Sequence, residues 1–233
     1  MHKRYFKISP CILITSVLAW LIFQFLSPLH GQDTVKTRGE ISVAYKKIKL
    51  QNGDLLFLDL DCGPLCDAIE SVTKSYGGRH FSHVGLVFIQ NDSTFIIEAI
   101  GKAVNQTWLP FFLKYSNKPA TIGRLKNQNL VAKAIGFSIS KLGFPYDDSF
   151  LYDNGRYYCS ELLYDAFKEA NGGKPVFKLE PMTYKKTGYS QFDPVWVDYF
   201  KHLGTEIPEG KPGCNPGGIS LSEELEILGA YQL

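Results

Sequence analysis

The feature that most limits what this chain can fold into is a pair of apolar runs, Ser82–Gln90 and Thr94–Ile100, joined through Asn91-Asp92. Two runs of strand length around a short Asn-Asp turn read as an antiparallel β-hairpin. Such a turn sets a register. With Gln90 opposite Ser93, Gly85 falls opposite Glu98 and His83 opposite Ile100, so His83 and Glu98 share one sheet face as diagonal neighbours. Gly85 leaves the space between them free of a side chain. A carboxylate beside a histidine fixes the ring tautomer and stabilises its charged form. The pattern alone also fits a strand histidine near an unrelated glutamate at a sheet edge.

Other elements gather around the hairpin. Asn52-Gly53-Asp54 leads into Leu55-Leu56-Phe57-Leu58, a turn and a buried strand, and Ala120–Leu125 is a further strand. Pro64 opens a helix in which Leu65, Ile69, Val72 and Tyr76 recur at helical spacing up to Gly77-Gly78. Val131, Ile135, Ile139 and Leu142 outline a second helix. A third carries Cys159, Leu162, Leu163, Ala166, Phe167 and Ala170, stopped by Asn171-Gly172-Gly173. After Pro181 the chain is rich in Tyr, Trp, Pro and Gly, with a last apolar stretch at Leu221–Leu228. The fold class is α+β, a small antiparallel sheet packed with helices.

At 233 residues there is room for one full domain. We place it at residues 48–233, after a polar linker at 32–47. The first 31 residues differ: His2, Lys3, Arg4 and Lys7 precede an apolar stretch from Cys11 to Leu26, closed by Ser27, Pro28 and Gly31. This fits a signal peptide cut near Gly31 or Gln32. The rival is an uncleaved anchor, with membrane association through residues 8–26. Either reading directs the domain across the cytoplasmic membrane, to the periplasm or cell surface. A net charge of +2 supplies no basic field, so nucleic acid is not an expected partner.

Cys159 opens its helix, where free backbone N–H groups and the helix dipole favour a thiolate and can hold an oxyanion. It also belongs to the apolar stripe of that helix, as a buried core cysteine would. His80, after Gly77-Gly78-Arg79, reads as a loop residue. Export permits a disulfide between Cys62 and Cys66, although the loop it closes across Pro64 is very small. With Cys159 reduced, only Cys62, Cys66 and Cys214 remain after a signal cut, so at most one bridge forms and one thiol is left over.

Five segments, taken in order, carry a resemblance. They are Asn52-Gly53-Asp54-Leu55-Leu56-Phe57, Phe81-Ser82-His83-Val84-Gly85-Leu86, Ile97-Glu98-Ala99, Gly143-Phe144-Pro145-Tyr146-Asp147 and Tyr157-Tyr158-Cys159-Ser160-Glu161-Leu162-Leu163. Together they resemble the YiiX/YebB-like cysteine hydrolases of the permuted, NlpC-like branch of the papain-fold superfamily. The likeness extends from about Leu50 into the tail Gly210–Pro216. It implies a circularly permuted papain-like domain with catalytic order His, polar residue, Cys. The nucleophile then falls on Cys159, the base on His83 and the orienting residue on Glu98, whose carboxylate should raise the His83 pKa. Tyr146, Asp147 and Tyr158 are candidates for substrate binding, although Tyr146 and Asp147 could equally close the turn after the second helix.

The resemblance implies acyl transfer to water by a cysteine peptidase or amidase; no cofactor is expected, and no metal, since Cys62, Cys66, Cys214 and His80 have no recognisable zinc-ligand spacing at Cys214. The expected substrate is a peptide amide, cell-wall peptides included. The alternatives are a lipid acyl ester or amide, an acyltransferase reaction, or a non-catalytic binding module on the same fold. The aromatic segment Trp108–Tyr115 reads either as core or as the wall of an apolar pocket.

Overall fold

The computed structural model describes residues 48–232. The segments read above as signal or anchor and as linker lie outside the described residues. In chain order the elements are β1 (Leu55–Leu58), α1 (Pro64–Val72), β2 (His83–Gln90), β3 (Ser93–Ile100), β4 (Ala103–Trp108), α2 (Leu109–Phe112) and β5 (Ala120–Leu125). There follow α3 (Val131–Ser140), α4 (Cys159–Ala170), β6 (Glu180–Pro181), α5 (Pro194–Leu203), β7 (Pro212–Gly213), α6 (Pro216–Ser220) and β8 (Leu225–Tyr231).

Six strands form one antiparallel sheet in the order β4-β3-β2-β1-β5-β8, and β6 pairs with β7 in a small ribbon. The continuous apolar run of β1 is explained by its interior place, since all four of its residues are buried. Leu55 and Phe57 join Leu162, Leu163 and Phe167 of α4 in one core, while Leu56 and Leu58 join Ile96, Phe112 and Ile122 in a second. Helices thus cover one face of the sheet, and the short α2 closes the other.

The hairpin turn adopts left-handed angles at Asn91 (φ 48°) and Asp92 (φ 59°), which match the twist of the flanking strands. Gln90 pairs with Ser93 and Leu86 with Ile97, the register that the turn implies. A Cβ on Gly85 would lie 2.2 Å from Ile96 Cγ2 and 3.4 Å from Glu98 Cβ. That position therefore admits only glycine without movement of the strand beside it.

Two boundaries differ from the sequence spacing. The helix α1 stops at Val72 and the chain leaves it extended at Thr73, so Tyr76 is not on the helix. Its backbone N–H instead donates to Ser220 Oγ at 3.0 Å, a tertiary bond that outweighs helical periodicity. α3 likewise ends at Ser140, with Leu142 in the turn beyond. Among the described residues no helix is long and apolar enough to cross a membrane. Cys62 and Cys66 are disulfide-bonded with Cα atoms 5.4 Å apart, inside the usual range, and this staples the start of α1. The leftover thiol is Cys214, buried and free, as is Cys159.

Candidate active site

Cys159 is the first residue of α4, after Tyr158 in extended conformation. The first ladder bond runs from Leu162 N–H to the Tyr158 carbonyl, which leaves the N–H groups of Cys159, Ser160 and Glu161 outside the helix ladder. The residues on either side of Cys159 are clamped to the backbone of one residue, Cys214. Cys214 N–H donates to Tyr158 Oη at 3.2 Å, and Ser160 Oγ donates to the Cys214 carbonyl at 3.0 Å. The Pro-Gly-rich tail thereby holds the helix start still from outside. A Cβ on Gly213 would press on Met182 at 2.8 Å and on Tyr158 Oη at 3.1 Å, so the close approach of this tail requires glycine.

At the start of β2 the His83 ring is buried, and its Nε2 lies 2.5 Å from Glu98 Oε2. The other Glu98 oxygen accepts from Tyr115 Oη at 3.4 Å, and the Phe112 ring sits 5.8 Å from the imidazole. The segment Trp108–Tyr115 therefore supplies the ceiling and second hydrogen bond of the histidine–carboxylate pair. Burial by itself would push His83 down, but hydrogen bonding to Cys159, hydrogen bonding to Glu98 and the charges of both outweigh it and hold the ring at about 10. Of the two contacts, only that to Glu98 has the distance of a formed hydrogen bond; Cys159 acts on the ring through its proximity and charge. With Nε2 occupied, Nδ1 is the ring nitrogen left to exchange a proton with sulfur.

Cys159 opens on a cleft of about 420 Å³ walled by Tyr146, Phe150, Met182 and Trp196. The three residues read as substrate contacts fare differently. Tyr146 lines the cleft, and burial followed by the nearby Cys159 keeps its phenol well above the ordinary value, hence protonated. Asp147 does not line it: its carboxylate accepts from Ser149 N–H at 3.0 Å and from Leu151 N–H at 2.7 Å, closing its own loop. Tyr158 borders the cleft, but its hydroxyl is held by Cys214. His80 is an exposed loop residue 3.9 Å from Glu70 and stays apart from the site.

Glu161 stands out in the sequence only as part of the Tyr157–Leu163 motif. Two positions after Cys159, it is 1% exposed and its Oε1 accepts the Asp153 N–H at 2.9 Å, while Oε2 has no partner among the described residues. It joins the nucleophile's helix to the loop that carries Tyr146 and Phe150. Burial, only partly offset by that N–H, pushes its carboxyl up from 4.5 to about 8. A raised folded-state value means that the contribution to stability is full below pH 4.5 and is lost as pH rises to about 8. At ~1.4 kcal/mol per unit this amounts to a few kcal/mol. Glu161→Gln keeps an acceptor for Asp153 and cannot ionise. We expect chemical denaturation at pH 5 and pH 8 to show a fall in wild-type stability that the variant largely lacks.

A helix-start cysteine preceded in the chain by a histidine–carboxylate pair on an antiparallel hairpin is the arrangement of a permuted papain-like domain. The chain belongs to the family of permuted papain-like amidase enzymes YaeF/YiiX, C92, whose model matches residues 49–227. It is 29% identical to the protein YiiX of Escherichia coli strain K12 over 126 residues, 52% of this chain. That match spans 59% of the length of YiiX. Its fold is similar to the crystal structure of YiiX from Escherichia coli O157:H7, with TM-score 0.65 and 23% identity over 78% of this chain and 98% of the other. That YiiX is described as a metalloprotein. In this chain no group of three or more His, Cys, Asp or Glu side chains is placed to hold an ion among the described residues.

Proposed function

We propose that this chain is an exported cysteine amidase with Cys159 as nucleophile, His83 as its proton partner and Glu98 as the residue that orients and charges His83. The observation that carries this reading is the buried imidazole, bonded to Glu98 through Nε2 and neighbour to Cys159 where that residue meets the cleft. In the resting state the proton sits on His83 and Cys159 attacks as the thiolate of an ion pair. The thiolate adds to the amide carbonyl, and the Cys159 N–H with the protonated Tyr146 phenol holds the oxyanion. His83 gives its proton to the departing amine, leaving an acyl-enzyme. It then takes a proton from water as the water oxygen attacks the thioester, which releases the carboxylic acid and restores the Cys159 thiolate beside the protonated ring.

Export is supported by the basic and apolar first 31 residues and by the Cys62–Cys66 bridge, a bond that persists in oxidising compartments. The test is alkylation by iodoacetamide, followed by peptide mapping and by turnover of a panel of amides. Modification of Cys159 in step with loss of amide hydrolysis is the expected result. Continued hydrolysis by enzyme fully alkylated at Cys159 would remove the assignment.

A further inference from the structure

The cleft beside Cys159 is lined not only by apolar surface but also by Thr73, Tyr184 and Trp196. Tyr184 and Trp196 are each 2% exposed and pack edge to face with ring centroids 5.0 Å apart. Phe200 of α5 lies against Tyr184 at 5.3 Å and completes an aromatic cluster with Ala68 of α1. Within this packed wall, Tyr184 Oη, Trp196 Nε1 and Thr73 Oγ1 are buried and have no hydrogen-bond partner among the described residues.

That combination is costly in a wall that serves only to close a core. A buried polar group left unpaired costs roughly 1–3 kcal/mol, and phenylalanine in place of Tyr184 or Trp196 would fill much of the same space without that cost. The indole N–H is an obligate donor, and the two hydroxyls can each donate. Three spare donors, buried in residues that line one cleft, call for an occupant that brings acceptors to that wall. A hydrocarbon chain brings none. The cleft's charged lining side chains, Lys74 and Glu180, are both exposed, so nothing buried in it is placed to neutralise a charged ligand.

Resting on the reading of Cys159 as nucleophile, we infer that this cleft is a subsite for a neutral peptide segment of the substrate, whose amide carbonyls accept from Trp196 Nε1 and Tyr184 Oη. The substrate class is then peptide amides, and long-chain acyl groups are discriminated against by the desolvation of those donors.

The experiment compares two fluorogenic amides with the same aminomethylcoumarin leaving group, one carrying an acetyl-dialanyl group and the other an octanoyl chain. The proteins are wild type, Tyr184→Phe and Trp196→Phe. Tyr184→Phe removes a single oxygen, so it remains informative should Trp196→Phe disturb the aromatic cluster. The inference expects wild type to favour the peptidyl amide. Each variant should lose about tenfold in kcat/KM on it, the worth of one hydrogen bond of roughly 1.4 kcal/mol, with the octanoyl amide unchanged or improved. Preference for the octanoyl amide, or a peptidyl-to-octanoyl ratio that neither variant moves, would overturn the subsite.

Binding of both amides to Cys159→Ala by calorimetry, with and without Tyr184→Phe, gives a readout that needs no turnover. Equal binding in the two backgrounds overturns the subsite as well. Failure of the nucleophile reading looks different, because hydrolysis would then persist in Cys159→Ala itself.

Discussion

Cys159→Ala is expected to lower kcat/KM on any amide substrate by at least about 10⁴-fold, because among the described residues no other thiol or hydroxyl is placed to replace it. Loss of a covalent nucleophile from a coupled site typically removes nearly all of its acceleration. Ser160, the next residue, points its hydroxyl at the Cys214 carbonyl, so it cannot substitute. Cys214 is buried, and burial, the largest influence on it, pushes its thiol far above the ordinary value, which makes it a poor nucleophile. The fold should survive, since the substitution removes one sulfur and leaves the clamp between Tyr158, Ser160 and Cys214 in place. A cost of ~1 kcal/mol is expected from the small cavity. Steady-state kinetics with a thermal melt of the same preparation checks both halves. A variant that melts as wild type and still turns over amides within tenfold would remove Cys159 from the chemistry.

The parts of this fold legible in the sequence are those where local rules and tertiary packing agree. The hairpin was legible because Asn91-Asp92 accepts the left-handed angles the turn needs and because both runs are apolar enough to be interior strands. β1, β5 and α4 were legible for the same reason. β4 was not: Ala103–Trp108 is an edge strand in which polar residues sit side by side at Asn105, Gln106 and Thr107, so there is no alternation to read. α5 has the start and stop signals of a helix, with Asp193 as cap, Pro194 in the first turn and Gly204 at φ 70° beyond the end. Its apolar anchors Trp196 and Phe200 are only two, in a stretch whose aromatic and proline content suggested loop. In the site, the His83–Glu98 pairing follows from register alone. Its partner Tyr115 could not be found that way, because the segment that brings it over Glu98 is a short helix and turn whose direction depends on packing. The clamp from Cys214 onto Tyr158 and Ser160 spans 56 and 54 residues and left no local pattern.

The second large effect divides His83 from Glu98. His83→Ala removes the group that both carries the proton to the leaving amine and takes one from water, and such contributions are typically about 10²–10⁴-fold, so kcat/KM should fall by that much or more. Glu98→Gln retains a side chain that can accept from Nε2–H but withdraws the charge, so its loss should be milder, on the order of tenfold to a hundredfold. The sign of the pH effect follows from the ring. Its folded-state value of about 10 lies above the ordinary 6.5, so the charged ring is the stabilised form, and that stabilisation is complete below pH 6.5 and lost as pH rises toward 10. The active ion pair therefore disappears on the alkaline side, where His83 gives up its proton, and that limb of kcat/KM against pH reports the ring. Hydrogen bonding to Glu98 and the charge of Glu98 are among the influences that raise His83 against its burial. Removing the charge must move the alkaline limb to lower pH, with Tyr115 left facing a neutral amide. Full pH profiles of wild type, Glu98→Gln and His83→Ala on the same amide decide the matter. An alkaline limb that stays put in Glu98→Gln, or a loss there as deep as in His83→Ala, means that Glu98 does more than orient and charge the ring.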